Sequence, residues 1–315
     1  MARHPDLADI LAARERIRDR IVQTPLLGSS VVPVRLKLEC RQETGSFKLR
    51  GATNRLLTLS DDERARGVVA VSSGNHGRAV AKVSADLGVR AVICLSGRVP
   101  AFKADAIRAL GARVVVAGPD QDDADAAARR LVTEDGLTFV HPFDDPFVIA
   151  GQGTAGLEIL EDAPDTRVVI VPMSGGGLIG GVAAAVKGID PAIRVIGVSQ
   201  DRGPAMYLSI RAGHLVDVVE EDTLADALAG GLGPENHHSF EMCRDLVDES
   251  VLVTEDEIAG AMAALNRSDG LVVEGGGAVG VAAVMAGKIA PSPQTVVVIS
   301  GGNVGPETLA AVMDR

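Results

Sequence analysis

Lys48 stands in the run ETGSFKLRGA, Glu43 to Ala52, between Phe47 and Leu49 and just after a Gly-Ser pair. Lysine is ordinarily a solvated surface residue. Gly45 and Ser46 supply the backbone freedom and the cap expected of a helix start. A helix N-terminus disfavours a cation. Desolvation and that dipole together push an amine toward its neutral, nucleophilic form. The competing interpretation is an ordinary lysine in the first turn of a helix.

Three glycine-rich turns follow apolar runs elsewhere in the chain. In VVIVPMSGGGLIGG, Gly175, Gly177 and Gly180 satisfy G-x-G-x-x-G, and Asp201 follows about 20 residues later, as a ribose-binding acid would. The same loop suits a single phosphate, because successive N–H groups at a helix N-terminus bind any such anion. A purely structural turn is the third option. In SSGNHGRA, Ser72 to Ala79, Asn75 and His76 lie between Gly74 and Gly77. Asn75 there also fits a left-handed turn. In VVVISGGN, Ser300 precedes Gly301 and Gly302, where a serine is often only a helix cap. His76 and His141 are candidate bases, although an isolated loop histidine is more often a structural hydrogen-bond partner.

Positioning these turns requires strands that hand over to helices, and the chain supplies them nearly throughout. GVVAVSS, RAVICLS, ARVVVAG, TRVVIVPMS, IRVIGVSQ, ESVLVT and QTVVVIS alternate with amphipathic stretches. Uninterrupted Val/Ile runs between helices indicate parallel sheets covered on both faces. Gly88, Gly111, Gly136 and Gly188 stand where helix-ending glycines belong. DDERARG before Val68 and HPFDDP at His141–Pro146 mark boundaries. They enclose a small α/β domain, 66–144, inserted in a large domain built from 1–65 and 145–315. The fold class is α/β, with two open parallel sheets.

The 315 residues are 46% apolar and 23% charged, and a net charge of −11 argues against nucleic acid and anionic membranes as partners. With no Trp and aromatics at 2%, the core must be aliphatic. Cys40, Cys94 and Cys243 lack metal-ligand spacing and read as buried thiols of a reducing compartment. The N-terminal stretch has no apolar signal core, and no run reaches the roughly 20 apolar residues of a membrane span. A cytoplasmic location is expected.

Together, TGSFKLRGA, SSGNHGRAVA, VPMSGGGLIGG, VEGGGAVGVAA and ISGGN, with DDPFVIAGQGTAGLEILED, resemble the fold-type II pyridoxal-phosphate enzymes of the threonine dehydratase and serine racemase group. The resemblance runs from about Thr24 to the C-terminus. Within the group the chain is most similar to the hydroxyectoine utilization dehydratases. The resemblance implies a tryptophan synthase beta-like fold, pyridoxal 5'-phosphate as cofactor, and a homodimer or homotetramer. It makes Lys48 the Schiff-base lysine that later moves the Cα proton, with Phe47 near the cofactor ring. Asn75 would bond the cofactor's 3-hydroxyl. Ser72, Ser73, Gly74, Asn75 and His76 would hold the substrate carboxylate, with Ser73 where serine racemases carry the opposite-face acid/base. Ser174, Gly175, Gly176, Gly177 and Leu178 would bind the phosphate, and Ser300 would partner the pyridine nitrogen.

The sequence departs from the group at several points. Ser174 replaces the glycine that opens the phosphate turn of most relatives, so its hydroxyl is a further candidate donor. Ser199, Gln200 and Asp201 stand where serine racemases begin a divalent-cation site with glutamate. Hard cations want several oxygen ligands, preferably carboxylates, so no metal is expected. The Pro25–Lys37 segment is short, which bears on the first strand. No regulatory domain follows Arg315, so allosteric control is not expected. Gly230–Pro234 is a candidate lining of the substrate mouth.

The expected activity is a lyase that eliminates water from an α-amino-β-hydroxy acid, of the serine/threonine type or a ring-opened hydroxyectoine derivative. The alternatives are a serine/threonine racemase using the same lysine, a nicotinamide-dependent dehydrogenase built on Gly175–Gly180, and a non-catalytic small-molecule sensor.

Overall fold

The Val/Ile runs need burial on both faces, and a computed structural model, which describes residues 3–233 and 236–314, places them in two sheets. In chain order the strands are β1 (Leu26–Gly28), β2 (Arg35–Lys37), β3 (Val68–Val71), β4 (Ala91–Leu95), β5 (Arg113–Val116), β6 (Thr138–Phe139), β7 (Val168–Pro172), β8 (Arg194–Gln200), β9 (Glu249–Val253) and β10 (Thr295–Val298). The larger sheet has the order β1-β2-β10-β7-β8-β9 and the smaller β5-β4-β3-β6. Every pairing is parallel except β1 with β2. The central strands β3, β4 and β10 are buried at every position, as parallel strands sheathed by helices must be.

Three local expectations change. The short Pro25–Lys37 segment closes a hairpin, with Leu26 opposite Lys37, so the edge of the larger sheet is antiparallel. Antiparallel neighbours need only a short link, whereas a parallel pair needs a crossover of a dozen residues or more. Gly188 does not end its helix, which continues to Ile189 with Asp190 beyond it. Its missing side chain instead admits Leu7, whose Cβ would lie 2.9 Å from a Cβ at 188. Ser46 does not cap the Lys48 helix. Phe47 occupies the cap position, while Ser46 is fully buried and its backbone bridges to Gly301.

The helix Lys48–Leu57 lies between two others, Asn75–Leu87 and Pro146–Asp162. Its contact with the second is close because Gly51 and Gly151 face each other. A Cβ on Gly151 would sit 2.7 Å from the Gly51 Cα, and one on Gly51 would meet Gln152 at 2.4 Å. On its other flank, Leu49, Ala52 and Leu56 join Val68, Ala70, Val80 and Ile93 in one apolar cluster with the smaller sheet. The larger sheet packs separately, with Ile170, Val198 and Val297 against the Gly275–Met285 helix on one side. On the other, Val169, Val171 and Val296 meet Ile179 and Val182 of the Gly177–Ile189 helix. The Lys48 helix is thus packed between the smaller sheet's apolar cluster and the Pro146–Asp162 helix.

Candidate active site

Lys48 opens its helix with no side-chain cap before it, because Gly45, at φ +77°, turns the chain sharply there. Its Nζ donates to the Pro142 carbonyl at 2.6 Å and lies 5.1 Å from the Phe47 ring centroid. Desolvation lowers its pKa to about 8, with the Glu274 charge pulling the other way. A carbonyl partner stabilises an ammonium less than a carboxylate in direct contact would. The amine is therefore within reach of its free-base form near neutral pH.

Around it the sequence-predicted residues converge from four elements. Phe47 N–H donates to Ser300 O at 3.0 Å, which ties the lysine's turn to the end of β10. Ser300 is buried, and its hydroxyl faces the Gly276 carbonyl at 3.4 Å. Pro142 leads directly into Phe143, whose ring packs on the glycine turn after β7. A Cβ on Gly175 would lie 2.3 Å from that ring, and one on Gly177 would lie 2.6 Å from the Phe143 carbonyl. Gly176 holds φ +87°. Glycine is required here by close approach and by backbone conformation together. Ser174 does not offer the turn a free hydroxyl, since its Oγ donates to Leu228 O at 2.9 Å.

The turn after β3 supplies the facing side. The helix begins at Asn75 behind Gly74, which has no side chain to cap it, and Gly74 N–H is taken by Ser72 Oγ at 3.2 Å. Ser72 and Ser73 are half-buried, and Asn75 and His76 are buried. Gly77 is forced by the Ser72 carbonyl, 2.1 Å from where its Cβ would be. His76 Nε2 lies 2.9 Å from the Val140 carbonyl, which can only accept, so Nε2 carries the proton and Nδ1 is a bare acceptor with no partner among the described residues. Burial, and then the Lys48 charge, push its pKa down to about 3. His141 is likewise pushed down by burial, to about 4, and its Nδ1 accepts from the Asp144 N–H at 2.8 Å. Both imidazoles stay neutral at physiological pH and are poor bases there.

Several residues here were not singled out in the sequence. Glu274, buried at the start of the Gly275–Met285 helix, accepts from Asn75 Nδ2 at 2.7 Å and from Asn303 N–H at 3.1 Å. Asn303 Nδ2 in turn donates to Asn75 Oδ1 at 2.7 Å. Behind the lysine, Arg50 is fully buried between Glu39, at 2.7 and 2.8 Å, and Glu158, at 2.6 and 2.7 Å. Lys37, also fully buried, pairs with Glu158 at 2.7 Å. Arg50 and Glu274 fall within TGSFKLRGA and VEGGGAVGVAA, but nothing in local spacing shows which face they use.

Of the remaining candidates, Gln200 shares the Leu228 carbonyl with Ser174 of the glycine turn. Ser199 Oγ donates to Gln200 Oε1 at 3.0 Å, and Gln200 Nε2 donates to the Leu228 carbonyl at 3.3 Å. Asp201 is exposed and engages Val253 through its backbone. In the stretch Gly230–Pro234, Gly230 and Gly233 take positive φ, and Pro234 lies outside the described residues.

The cradle fits a phosphorylated aldehyde cofactor. The N–H groups of Gly175, Gly177 and Leu178 find no acceptor among the described residues. They open a helix, where an anion is favoured. Lys48 offers a desolvated amine, Asn75 a buried amide and Ser300 a buried hydroxyl.

Residues 17–301 match the family described as pyridoxal-phosphate dependent enzyme. The L-threonine ammonia-lyase of Thermotoga maritima is 43% identical over 315 residues, covering 98% of this chain and 78% of that protein. The L-threonine dehydratase catabolic TdcB of Escherichia coli K12 is 42% identical over 305 residues, covering 94% and 92%. Among solved structures, maize serine racemase superposes with a TM-score of 0.92 at 33% identity, covering 99% of this chain and 98% of that one. With a match that spans residues 17–301, the chain belongs to the pyridoxal-phosphate dependent enzymes.

Proposed function

We propose that this protein is a lyase that eliminates water from an α-amino-β-hydroxy acid. The Cα proton and the β-hydroxyl leave as water, and the enamine so formed hydrolyses to a 2-oxo acid and ammonia. The observation that carries this reading is Lys48, an amine with a pKa lowered to about 8 and a carbonyl for its partner, set among two helix-opening turns. The names of the relatives, L-threonine ammonia-lyase and L-threonine dehydratase, point to the same reaction class.

When bound, pyridoxal 5'-phosphate supplies the aldehyde that joins the substrate amine and the ring that accepts the electron pair left at Cα. The chain supplies position and proton transfer. Lys48 holds the aldehyde until substrate arrives and then takes the Cα proton on Nζ, as a lysine tuned near the working pH can. Ser174 to Leu178 bind the phosphate through backbone N–H groups. Asn75 would bond the cofactor's ring oxygen, Phe47 would pack beside the ring, and Ser300 would offer its nitrogen a neutral hydroxyl. Ser72, Ser73, Gly74, Asn75 and His76 receive the substrate carboxylate at the start of the Asn75–Leu87 helix. The two sheets form the cores of two domains, 1–65 with 145–315 and 66–144. The free cysteines Cys40, Cys94 and Cys243 agree with a reducing cytoplasm, and the active form is a homodimer or homotetramer.

The substrate is serine, threonine or a hydroxyamino acid such as a ring-opened hydroxyectoine derivative, which has a free amine beside its hydroxyl-bearing carbon. The test combines a visible spectrum of cofactor-loaded protein, borohydride trapping with peptide mass analysis, and oxo-acid release from a hydroxyamino-acid panel. Label on Lys48 together with oxo-acid release is expected. A label elsewhere, or no release from any member, overturns the reading.

Racemisation is the second reading, favoured by half-buried Ser73 and by the similarity to maize serine racemase. Chiral analysis showing inverted substrate without oxo acid would establish it.

A further inference from the structure

Glu274 stands at the cap position of its helix but makes no side-chain cap bond. Its carboxylate is spent on other elements instead. Oε1 accepts from Asn75 Nδ2 at 2.7 Å and Oε2 accepts from Asn303 N–H at 3.1 Å. Asn303 Nδ2 donates both to Asn75 Oδ1, at 2.7 Å, and to Thr44 O, at 2.8 Å. The Asn75 amide therefore has one allowed orientation. Flipping it would set its nitrogen against the Asn303 amide donor and its oxygen against a carboxylate. A primary amide has two N–H donors, so one remains beyond the bond to Glu274. Gly301 is part of the same arrangement, since a Cβ there would lie 2.3 Å from Glu274 Oε1.

We propose that Glu274 is a positioning residue of this site: Oε1 holds Asn75 directly and Oε2 holds it through Asn303, so that the second N–H of the Asn75 amide is left for the cofactor oxygen. The inference rests on the roles given to Lys48 and Asn75 above. The charged and titratable groups acting with Glu274 are Lys48, Cys40, Asp226 before Leu228, and Lys103 from the Ala101–Ala109 helix. Burial, and then the Asp226 charge, push the Glu274 carboxyl up to about 7. Its charge thus changes across the neutral range. Above that pH the anion raises the proton affinity of Lys48, and below it the pull disappears.

The test titrates the visible cofactor band with pH and measures cofactor affinity in wild-type protein, Glu274→Gln and Glu274→Asp. Glutamine must turn an N–H toward either Asn75 or Asn303, leaving donors opposed. Cofactor affinity should fall about tenfold, and the band's midpoint should move to lower pH because the anion is gone. Aspartate keeps the charge and suits the cap position but withdraws its oxygens from Asn75. It should lose affinity while its midpoint stays near wild type. A purely structural role would lower stability in both variants and leave the midpoint of Glu274→Gln in place. Wild-type midpoint and affinity in Glu274→Gln overturn the proposal. If that variant does not fold, wild-type affinity in Glu274→Asp overturns it as well. Wild-type protein without a cofactor band, or labelled by borohydride away from Lys48, overturns the underlying assignment too, and that outcome is visible before any variant is made.

Discussion

Lys48 and Arg50 are two positions apart on one helix, which at 3.6 residues per turn puts them about 200° apart, on opposite faces. Arg50 is fully buried and Lys48 half-buried, and they end in opposite electrostatic states. Arg50 meets two carboxylates through four hydrogen bonds. Burial works against its charge, but Glu39 and Glu158 outweigh it and raise its pKa further. Lys48 meets a carbonyl, with a carboxyl near enough to be felt but not in contact, and its pKa drops to about 8. Burial alone does not set ionisation; the partner does. The back of the helix is a neutralised anchor and the front is a poised amine.

The largest test of that contrast is activity at the front. Lys48→Ala should lower turnover by about 10³-fold or more, given what a positioned proton carrier contributes. Its melting temperature should fall by no more than the loss of bound cofactor explains, because the amine removed is itself desolvated. Oxo-acid release and thermal unfolding on the same preparation check both halves. A variant that melts far below cofactor-free wild type would show that the lysine is structural after all.

Behind the helix the expectation inverts. Arg50→Met strands the Glu39 charge, leaves Glu158 to Lys37 and should cost about 3–5 kcal/mol in denaturant unfolding. Any fall in turnover should follow from the fraction unfolded. Unchanged stability would mean that the carboxylates find other partners and that the anchor does not hold the helix.

The most gradual effect is on acid stability, and it draws on both faces. His76 and His141 are neutral in the fold, with values near 3 and 4, and ordinary near 6.5 once unfolded. Below pH 6.5 the unfolded chain binds more protons, so stability falls with pH until the folded values are reached. Each histidine contributes up to about 1.4 kcal/mol per pH unit in that window. Glu39 has the opposite starting point and the same consequence. Burial opposes its charge, yet Arg50 holds its carboxyl below the ordinary 4.5. Its stabilisation is present above that value and is lost as pH falls through the lower folded one. Unfolding free energies from pH 7 to pH 4 should decline most steeply between about 6 and 4. A flat profile over that range would contradict the burial of the two imidazoles.

Much of the architecture was legible because the strand signal is local. VVAV at β3 and AVICL at β4 are buried at every position, as unbroken apolar runs imply. The glycine turn after β7 and the Lys48 run were legible for the same reason: a turn, an anion cradle and a helix start are written in consecutive residues. What was missed depends on partners far away in the chain. Asn75 and Glu274 are 199 residues apart, and Asn75 and Asn303 are 228 apart. Arg50 draws on Glu158, 108 residues on. Ser46 carries the signature of a cap, but the bridge to Gly301 buries it and the cap falls to Phe47.

The sequence by itself determined the alternation of strand and helix, the turns that can hold an anion, and the presence of a lysine at a helix start. Those follow from backbone preference and hydrophobic period, which act over a few residues. The tertiary structure alone decided which charges are neutralised and which are left poised. Ionisation inside a protein depends on which dipoles and charges arrive within a few ångströms, and packing, not adjacency in the chain, brings them there.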